Sequence, residues 1–315
     1  MIRHDPIAIK VRQIAPLSPT LKHLVLEPAD GGLLPAASAG AHLAMVLAAK
    51  DGMFRNSYSL VSAPGERSRY ELIVRRAARS RGGSAFIHDA LQEGAVLHAA
   101  APGNFFPLST QARKHLLIGG GIGITPMLSF LHALADAKGR FEMHQFCSAA
   151  ERPVFERLLA PFGGRHVHVH PGRDALDLAA LLARQPLGTH LYVCGPVALM
   201  DRVQAQAAQL GWPASKIHRE LFGAEGGAPF RVRLARSGGE LRVGPDETML
   251  EALEAAGAPV RSLCRGGACG ECVTGVLDGV PEHRDDFLSA EEKAGGRLIM
   301  PCVSRARSPE LVIDL

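Results

Sequence analysis

The chain has 315 residues, 47% of them apolar and 21% charged, with 35 Lys and Arg against 31 Asp and Glu. That balance excludes a disordered, collagenous or coiled-coil protein and supplies enough apolar residues for two or three domains. Only seven of the cations are Lys and no run of five basic residues occurs, so nothing favours nucleic acid as a partner. The start, Met1-Ile2-Arg3-His4-Asp5, lacks the apolar run of a signal peptide, which predicts a cytoplasmic protein.

Residues 1–107 read as short strands between turn signals. Ile7–Val11, Leu21–Leu26, Ala41–Leu47, Tyr58–Val61, Tyr70–Arg75 and Ala95–Ala99 are the candidates, broken by clusters such as Asp30-Gly31-Gly32 and Ala63-Pro64-Gly65. This spacing predicts an antiparallel β-barrel, with one short helix at Phe86–Leu91. From His115 strands and helices alternate. Strands at His115–Ile118, Phe141–Cys147, His166–His170, His190–Cys194 and Ile217–Leu221 are separated by helices at Pro126–Lys138, Val154–Leu159, Leu176–Leu182 and Val197–Leu210. That rhythm predicts an α/β domain with a parallel sheet over 108–224. Leu116–Leu131 is apolar and uncharged, but with 16 residues, four Gly and a Pro it reads as a buried strand–turn–helix rather than a membrane span.

Gly223–Pro229 is a small, Gly-rich linker. Beyond it, strands Phe230–Leu234, Glu240–Val243 and Val273–Leu277 and a helix Met249–Ala256, capped by Thr248 and stopped by Gly257, suit a β-grasp domain over 230–315. From Phe230 onward there are 11 basic and 14 acidic residues, whereas the first 229 residues hold 24 and 17. The change of sign fits separate domains and a docking surface, or ordinary surface variation.

Four of the six cysteines lie in this last segment, as Cys264-x4-Cys269-x2-Cys272 and then Cys302 after 29 further residues. This is the plant-type spacing for a [2Fe–2S] cluster. Gly266, Gly267 and Gly270 suit a tight loop that brings three sulfurs together and turns backbone N–H groups towards them. Disulfides are disfavoured without a secretory signal, and zinc sites use other spacings. Cys147 and Cys194 each end an apolar run, as small buried residues or as the lining of a ligand pocket.

A second motif, Gly119-Gly120-Gly121-Ile122-Gly123-Ile124-Thr125-Pro126, joins a strand to a helix. Its glycines admit a pyrophosphate near the helix start. Cys194-Gly195-Pro196 ends a later strand, with Met200 on the helix that follows, and two such strand ends can face one ligand. A third group is Arg55-Asn56-Ser57-Tyr58-Ser59 with Ile73-Val74-Arg75 and Arg81-Gly82-Gly83-Ser84. Tyr58 offers a surface for a flavin ring, Arg75, Arg81 and the helix after Ser84 offer phosphate donors, and Ser59 offers a hydrogen bond to the flavin. An Arg-rich solvated face with one core Tyr is the alternative for these residues alone.

Taken together, these motifs and their order resemble the ferredoxin–NADP reductase superfamily, in particular the phthalate dioxygenase reductase family, which includes the reductase component of vanillate O-demethylase. The likeness runs through Tyr58-Ser59-Leu60, Arg81–Ser84, Gly119–Pro126, Cys194–Pro196, His218–Gly223 and the four cysteines, and covers essentially the whole chain. It implies an FMN barrel, a nicotinamide domain and a C-terminal ferredoxin domain, with Phe222 near the flavin or nicotinamide ring. The family pattern Arg-x-Tyr-Ser would put Arg where Asn56 stands, with Arg55 one residue earlier. Ser148-Ala149-Ala150-Glu151, after the second strand of the α/β domain, has no cation in place for a 2′-phosphate, although Arg152 is near, and so favours NADH.

The expected function is electron transfer from NADH through FMN to the cluster held by Cys264, Cys269, Cys272 and Cys302. By resemblance, a separate Rieske-type non-haem iron oxygenase receives the electrons and the reductase is a monomer without a membrane segment. A reductase for a cytochrome P450 or for a separate ferredoxin is the alternative within this class. From another class comes a redox sensor that holds flavin and cluster without turnover. A sensor has no need of the paired nucleotide motifs.

Overall fold

The computed structural model describes residues 6–49, 52–78, 80, 82–223 and 226–315. They form two compact units that divide between Glu220 and Leu221. Arg81 lies outside the described residues, as do Ala224 and Glu225 of the linker.

The first unit begins with β1 (Ile7–Ser18), β2 (Leu21–Pro28), β3 (His42–Ala49), β4 (Gly52–Ser59), β5 (Tyr70–Arg75), α1 (Gly83–Asp89) and β6 (Val96–Ala99). The six strands make one antiparallel sheet in the order β4-β3-β6-β1-β2-β5. Its edges meet through a bridge between Leu60 and Leu72, so the sheet curls into a barrel as expected. Alternate residues such as Val11, Leu24, Leu43, Met45 and Leu72 fill its interior. The strand expected at Tyr58–Val61 instead starts at Gly52. The polar run Arg55-Asn56-Ser57 hides it, and its register with β3, from Ala49–Gly52 to His42–Ser59, defines it.

The same unit continues with β7 (Lys114–Gly120), α2 (Ile124–Asp136), β8 (Phe141–Cys147), α3 (Arg152–Leu159), β9 (Val167–Pro171), α4 (Leu178–Ala183), β10 (Thr189–Cys194), α5 (Val197–Gln209) and β11 (Ile217–Glu220). The five strands are parallel, in the order β11-β10-β7-β8-β9. Leu116–Leu131 is the strand–turn–helix its glycines predicted. Gly119 and Gly120 end β7 rather than open the turn, because they pair with Gln145 and Phe146 of β8. The α2 helix starts at Ile124, with Pro126 in the first turn, where its missing N–H is harmless. One apolar cluster joins Leu21, Val61, Ile73 and Phe106 to Leu117, Ile124, Phe130 and Tyr192, so the barrel and the parallel sheet share a core.

The second unit holds β12 (Phe230–Leu234), β13 (Glu240–Val243), α6 (Met249–Ala255), β14 (Thr274–Asp278), β15 (Pro281–Glu282), α7 (Ala290–Gly295), β16 (Leu298–Ile299), β17 (Arg305–Ala306) and β18 (Glu310–Ile313). Its main sheet runs β13-β12-β18-β14-β16, with β12 and β18 parallel at the centre, as a β-grasp domain requires. Thr248 caps α6 in a reciprocal capping box with Glu251.

Candidate functional site

In the parallel sheet the chain order reverses between β7 and β10, and ligands bind beyond the carboxyl ends of strands at such a point. Gly119 pairs with Cys194 in register there, bringing the two nucleotide motifs together. A side chain on Gly123 would begin 2.1 Å from the Cys194 carbonyl oxygen, and one on Gly195 would begin 2.9 Å from Gly120 Cα. Only glycine allows the two turns this close. Gly121 has φ +53° and opens the turn into the helix. Thr125, Met200 and Cys194 are buried beneath it. The Thr125 hydroxyl donates to the Ile122 carbonyl at 3.0 Å, and burial pushes the Cys194 thiol well up. Pro126 is buried in the first turn of α2, and Pro196 immediately precedes α5.

Gln145, which sequence reading passed over, lies under this turn. Its side chain is fully buried, and Nε2 donates to the Gly121 carbonyl at 3.0 Å and the Phe146 carbonyl at 2.9 Å. Oε1 has no partner. A glutamine on a strand carries no signal of burial in sequence. Cys147 is half-buried, with its thiol 3.8 Å from the His170 carbonyl.

The flavin group divides across β4. Phe54, Asn56 and Tyr58 face one side of the strand, while Arg55, Ser57 and Ser59 face the other, and Arg55 is exposed. Phe54 and Tyr58 pack on the barrel core. The Asn56 carboxamide occupies the space that a Gly83 side chain would need, and the Phe54 ring does the same at Gly82. Ser84 bonds to Ser80 at 3.0 Å and to the Ala77 N–H at 3.2 Å. Ile73 and Val74 are buried, Ile73 in the shared core.

Arg75 reaches from the end of β5 to the parallel sheet. Nη1 pairs with Glu151 at 2.7 Å, while Nη2 is buried without a hydrogen-bond partner, 3.6 Å from where a Gly121 side chain would begin. The hydroxyls of Ser57, Tyr58 and Ser59 are also buried without partners. Burial pushes the Tyr58 phenol far up, so it stays a neutral donor. Three orphaned hydroxyls and a guanidinium arm match what a flavin and a nucleotide phosphate demand.

In the second unit, Cys264, Cys272 and Cys302 are buried, Cys269 is half-buried, and all four are free thiols. Cys272 and Cys302 sulfurs lie 3.3 Å apart, and the Gly266 N–H points at Cys264 Sγ from 3.4 Å. The Cys269 thiol and the N–H groups of Gly266, Ala268 and Cys269 hold Cys264 far below the ordinary thiol range, to about 5. Sharing with Cys264 and with Cys272, together with burial, pushes Cys269 and Cys302 up in turn, so the fit to the cluster rests on four sulfurs gathered with backbone N–H groups turned towards Cys264. Gly267 and Gly270 adopt φ +75° and +78°, and a side chain on either would collide with Val303 or the Phe287 ring. The buried Asp285 accepts from the Leu288 N–H at 2.8 Å and fixes this bracing segment. Phe222, at the start of this unit, is 42% exposed.

Residues 232–307 match the 2Fe-2S iron-sulfur cluster binding domain family, and residues 104–217 match the N-terminal domain of dimethylamine monooxygenase subunit DmmA-like proteins. Nucleotide, flavin and cluster in one chain serve to move electrons from a two-electron donor to a one-electron acceptor, and the protein is an NADH-dependent electron-transfer oxidoreductase. It is 43% identical to the haem-dependent oxidative N-demethylase beta subunit of Ectopseudomonas mendocina, with 98% of each chain covered. It is 42% identical to the vanillate O-demethylase oxidoreductase of Pseudomonas sp. HR199, over 91% of this chain and 93% of that one. The solved structure of phthalate dioxygenase reductase, described as modular for electron transfer from pyridine nucleotides to [2Fe–2S], covers 98% of both chains at 35% identity and a TM-score of 0.80. The chain belongs to the phthalate dioxygenase reductase family and is the reductase component of an oxygenase system. Its cofactors are FMN and a [2Fe–2S] cluster, and its donor is NADH. Among the described residues no helix is long and apolar enough to cross a membrane.

Proposed function

We propose that this reductase is a cytoplasmic monomer that serves a Rieske-type non-haem iron oxygenase on a separate chain. Residues 1–107 hold FMN, 108–224 hold NADH and 230–315 hold the cluster. The observation that carries the residue roles is the unpartnered Arg75 Nη2 beside Gly121, where the barrel meets the nucleotide turn. Gly119, Gly120, Gly121, Gly123, Thr125 and Pro126 admit the pyrophosphate, while Cys194, Gly195, Pro196 and Met200 bound the nicotinamide side. Ser57, Tyr58 and Ser59 donate to the flavin, Arg75 and Arg81 neutralise phosphate, and Gly82, Gly83 and Ser84 shape that end of the pocket. Arg55, Asn56, Ile73 and Val74 complete its wall. Cys264, Cys269, Cys272 and Cys302 ligate the irons. When bound, the flavin takes two electrons from NADH together and releases them singly to the cluster.

The test is the visible spectrum under anaerobic NADH. Both flavin and cluster bands should bleach, whereas a bleached flavin with an unchanged cluster would break the proposed chain. The partner's type is read separately, by stopped-flow reoxidation of the reduced cluster with a Rieske oxygenase. A haem-containing demethylase is the second acceptor, favoured by the 43% identical relative and the DmmA-like match. Faster transfer to haem would reassign the partner.

A further inference from the structure

A second group of ligand-type side chains lies on the other face of the parallel sheet from Gln145, and the electron path does not use it. Glu142 and His144 alternate on β8 and so face the same side, and His168 of β9 pairs with His144 directly across the ladder. One ligand atom from each of the three lies within 4.8 Å of the others. Two alternate residues on a strand and a third opposite them set three donors over one patch of sheet, leaving a fourth position for water. A tetrahedral ion with bonds of ~2.0–2.1 Å holds its donors about 3.4 Å apart, so modest side-chain rotation closes the triangle.

The surroundings of His144 suit a ligand. Its Nδ1 lies 2.9 Å from His170 Nε2, an outer hydrogen bond that settles which ring nitrogen is left to coordinate. Its Nε2 lies 3.1 Å from Glu142 Oε1, where a shared proton would give way to a cation. The His144 and His168 rings stack with centroids 4.8 Å apart, which restrains both. Competition comes from groups already on Glu142. Lys114 Nζ at 2.6 Å and Gln185 Nε2 at 3.1 Å hold Oε2, while Arg184 pairs with Oε1. The Arg184 side chain is 61% exposed and can turn to solvent, which frees Oε1.

We propose that Glu142, His144 and His168 form a binding site for a borderline transition-metal dication, zinc foremost, on the nucleotide-binding sheet. Two imidazoles and one carboxylate suit such an ion better than calcium or magnesium.

The test uses the holoprotein with flavin and cluster loaded, equilibrated with Zn²⁺ alone, and reads bound zinc and iron together. One zinc per chain with unchanged iron is expected. His168→Ala, at the edge strand, should abolish it, and His170→Ala should weaken it by ~10–100-fold through the outer hydrogen bond. Arg184→Ala should tighten it, because a competitor for Oε1 is gone, an effect that a purely structural network would not produce. No zinc uptake, zinc gained only as iron is lost, uptake unchanged by His168→Ala, or weaker uptake in Arg184→Ala would each overturn the proposal.

Discussion

Arg305 is a charged side chain only 2% exposed, and it holds the second unit's linker end to its core. Its guanidinium donates to the carbonyls of Glu247 at 2.7 Å and of Ala228 and Gly244 at 2.9 Å, and lies 5.2 Å from the Phe230 ring. Arg305→Leu leaves those part-buried carbonyls without their donor and removes the hydrogen bonds that tie the linker end down, so we expect a loss on the order of 3 kcal/mol in this unit. Iron content and thermal midpoint should fall while NADH reduction of the flavin persists, and equal damage to both would contradict it. At the nucleotide turn, Gln145→Met keeps the volume but removes the donor to Gly121, so KM for NADH should rise more than kcat falls. Neither residue was legible as buried, because an Arg near the C-terminus and a Gln in a strand read as surface. The glycine and cysteine motifs were legible because their chemistry needs particular residues at short, fixed separations.

At the level of elements, β7, β10 and β11 set His115, His190 and His218 on one face of the sheet around Tyr192. Burial lowers all three, and it holds His42 in the barrel at about 4. A histidine whose folded pKa lies below its unfolded value of about 6.5 stays neutral in the native state while the unfolded chain takes up protons first. Stability is therefore fully present above pH ~6.5 and drains away towards pH 4, by on the order of 3 kcal/mol for His42 alone. The thermal midpoint should fall steadily over that window, and His42→Gln should flatten the slope. The α/β rhythm was readable because each strand and helix carries its own period. The strand β18 was not, since four residues at the chain end declare nothing until they pair with β12 and β14.

Across the whole molecule, the barrel and the parallel sheet share one apolar cluster, whereas residues from Leu221 onward form a unit of their own. Calorimetry should show the first 220 residues melting as one transition, and iron removal should lower only the other. Separate melting of the barrel and the parallel sheet would refute the shared core. No reading of sequence could see that cluster, because Ile73 and Phe106 look like ordinary barrel residues until the nucleotide sheet lies against them. The position of β18 also bears on how the protein is made. A chain leaves the ribosome from its N-terminus, so the first unit can fold while translation continues. The ferredoxin unit closes later, since its central strand β18 follows every other strand of its sheet in the chain. All four cysteines therefore emerge before the sheet that frames them can close. A ribosome stalled between Cys302 and β18 would display four bare thiols before the sheet that shields them from oxidation has its central strand.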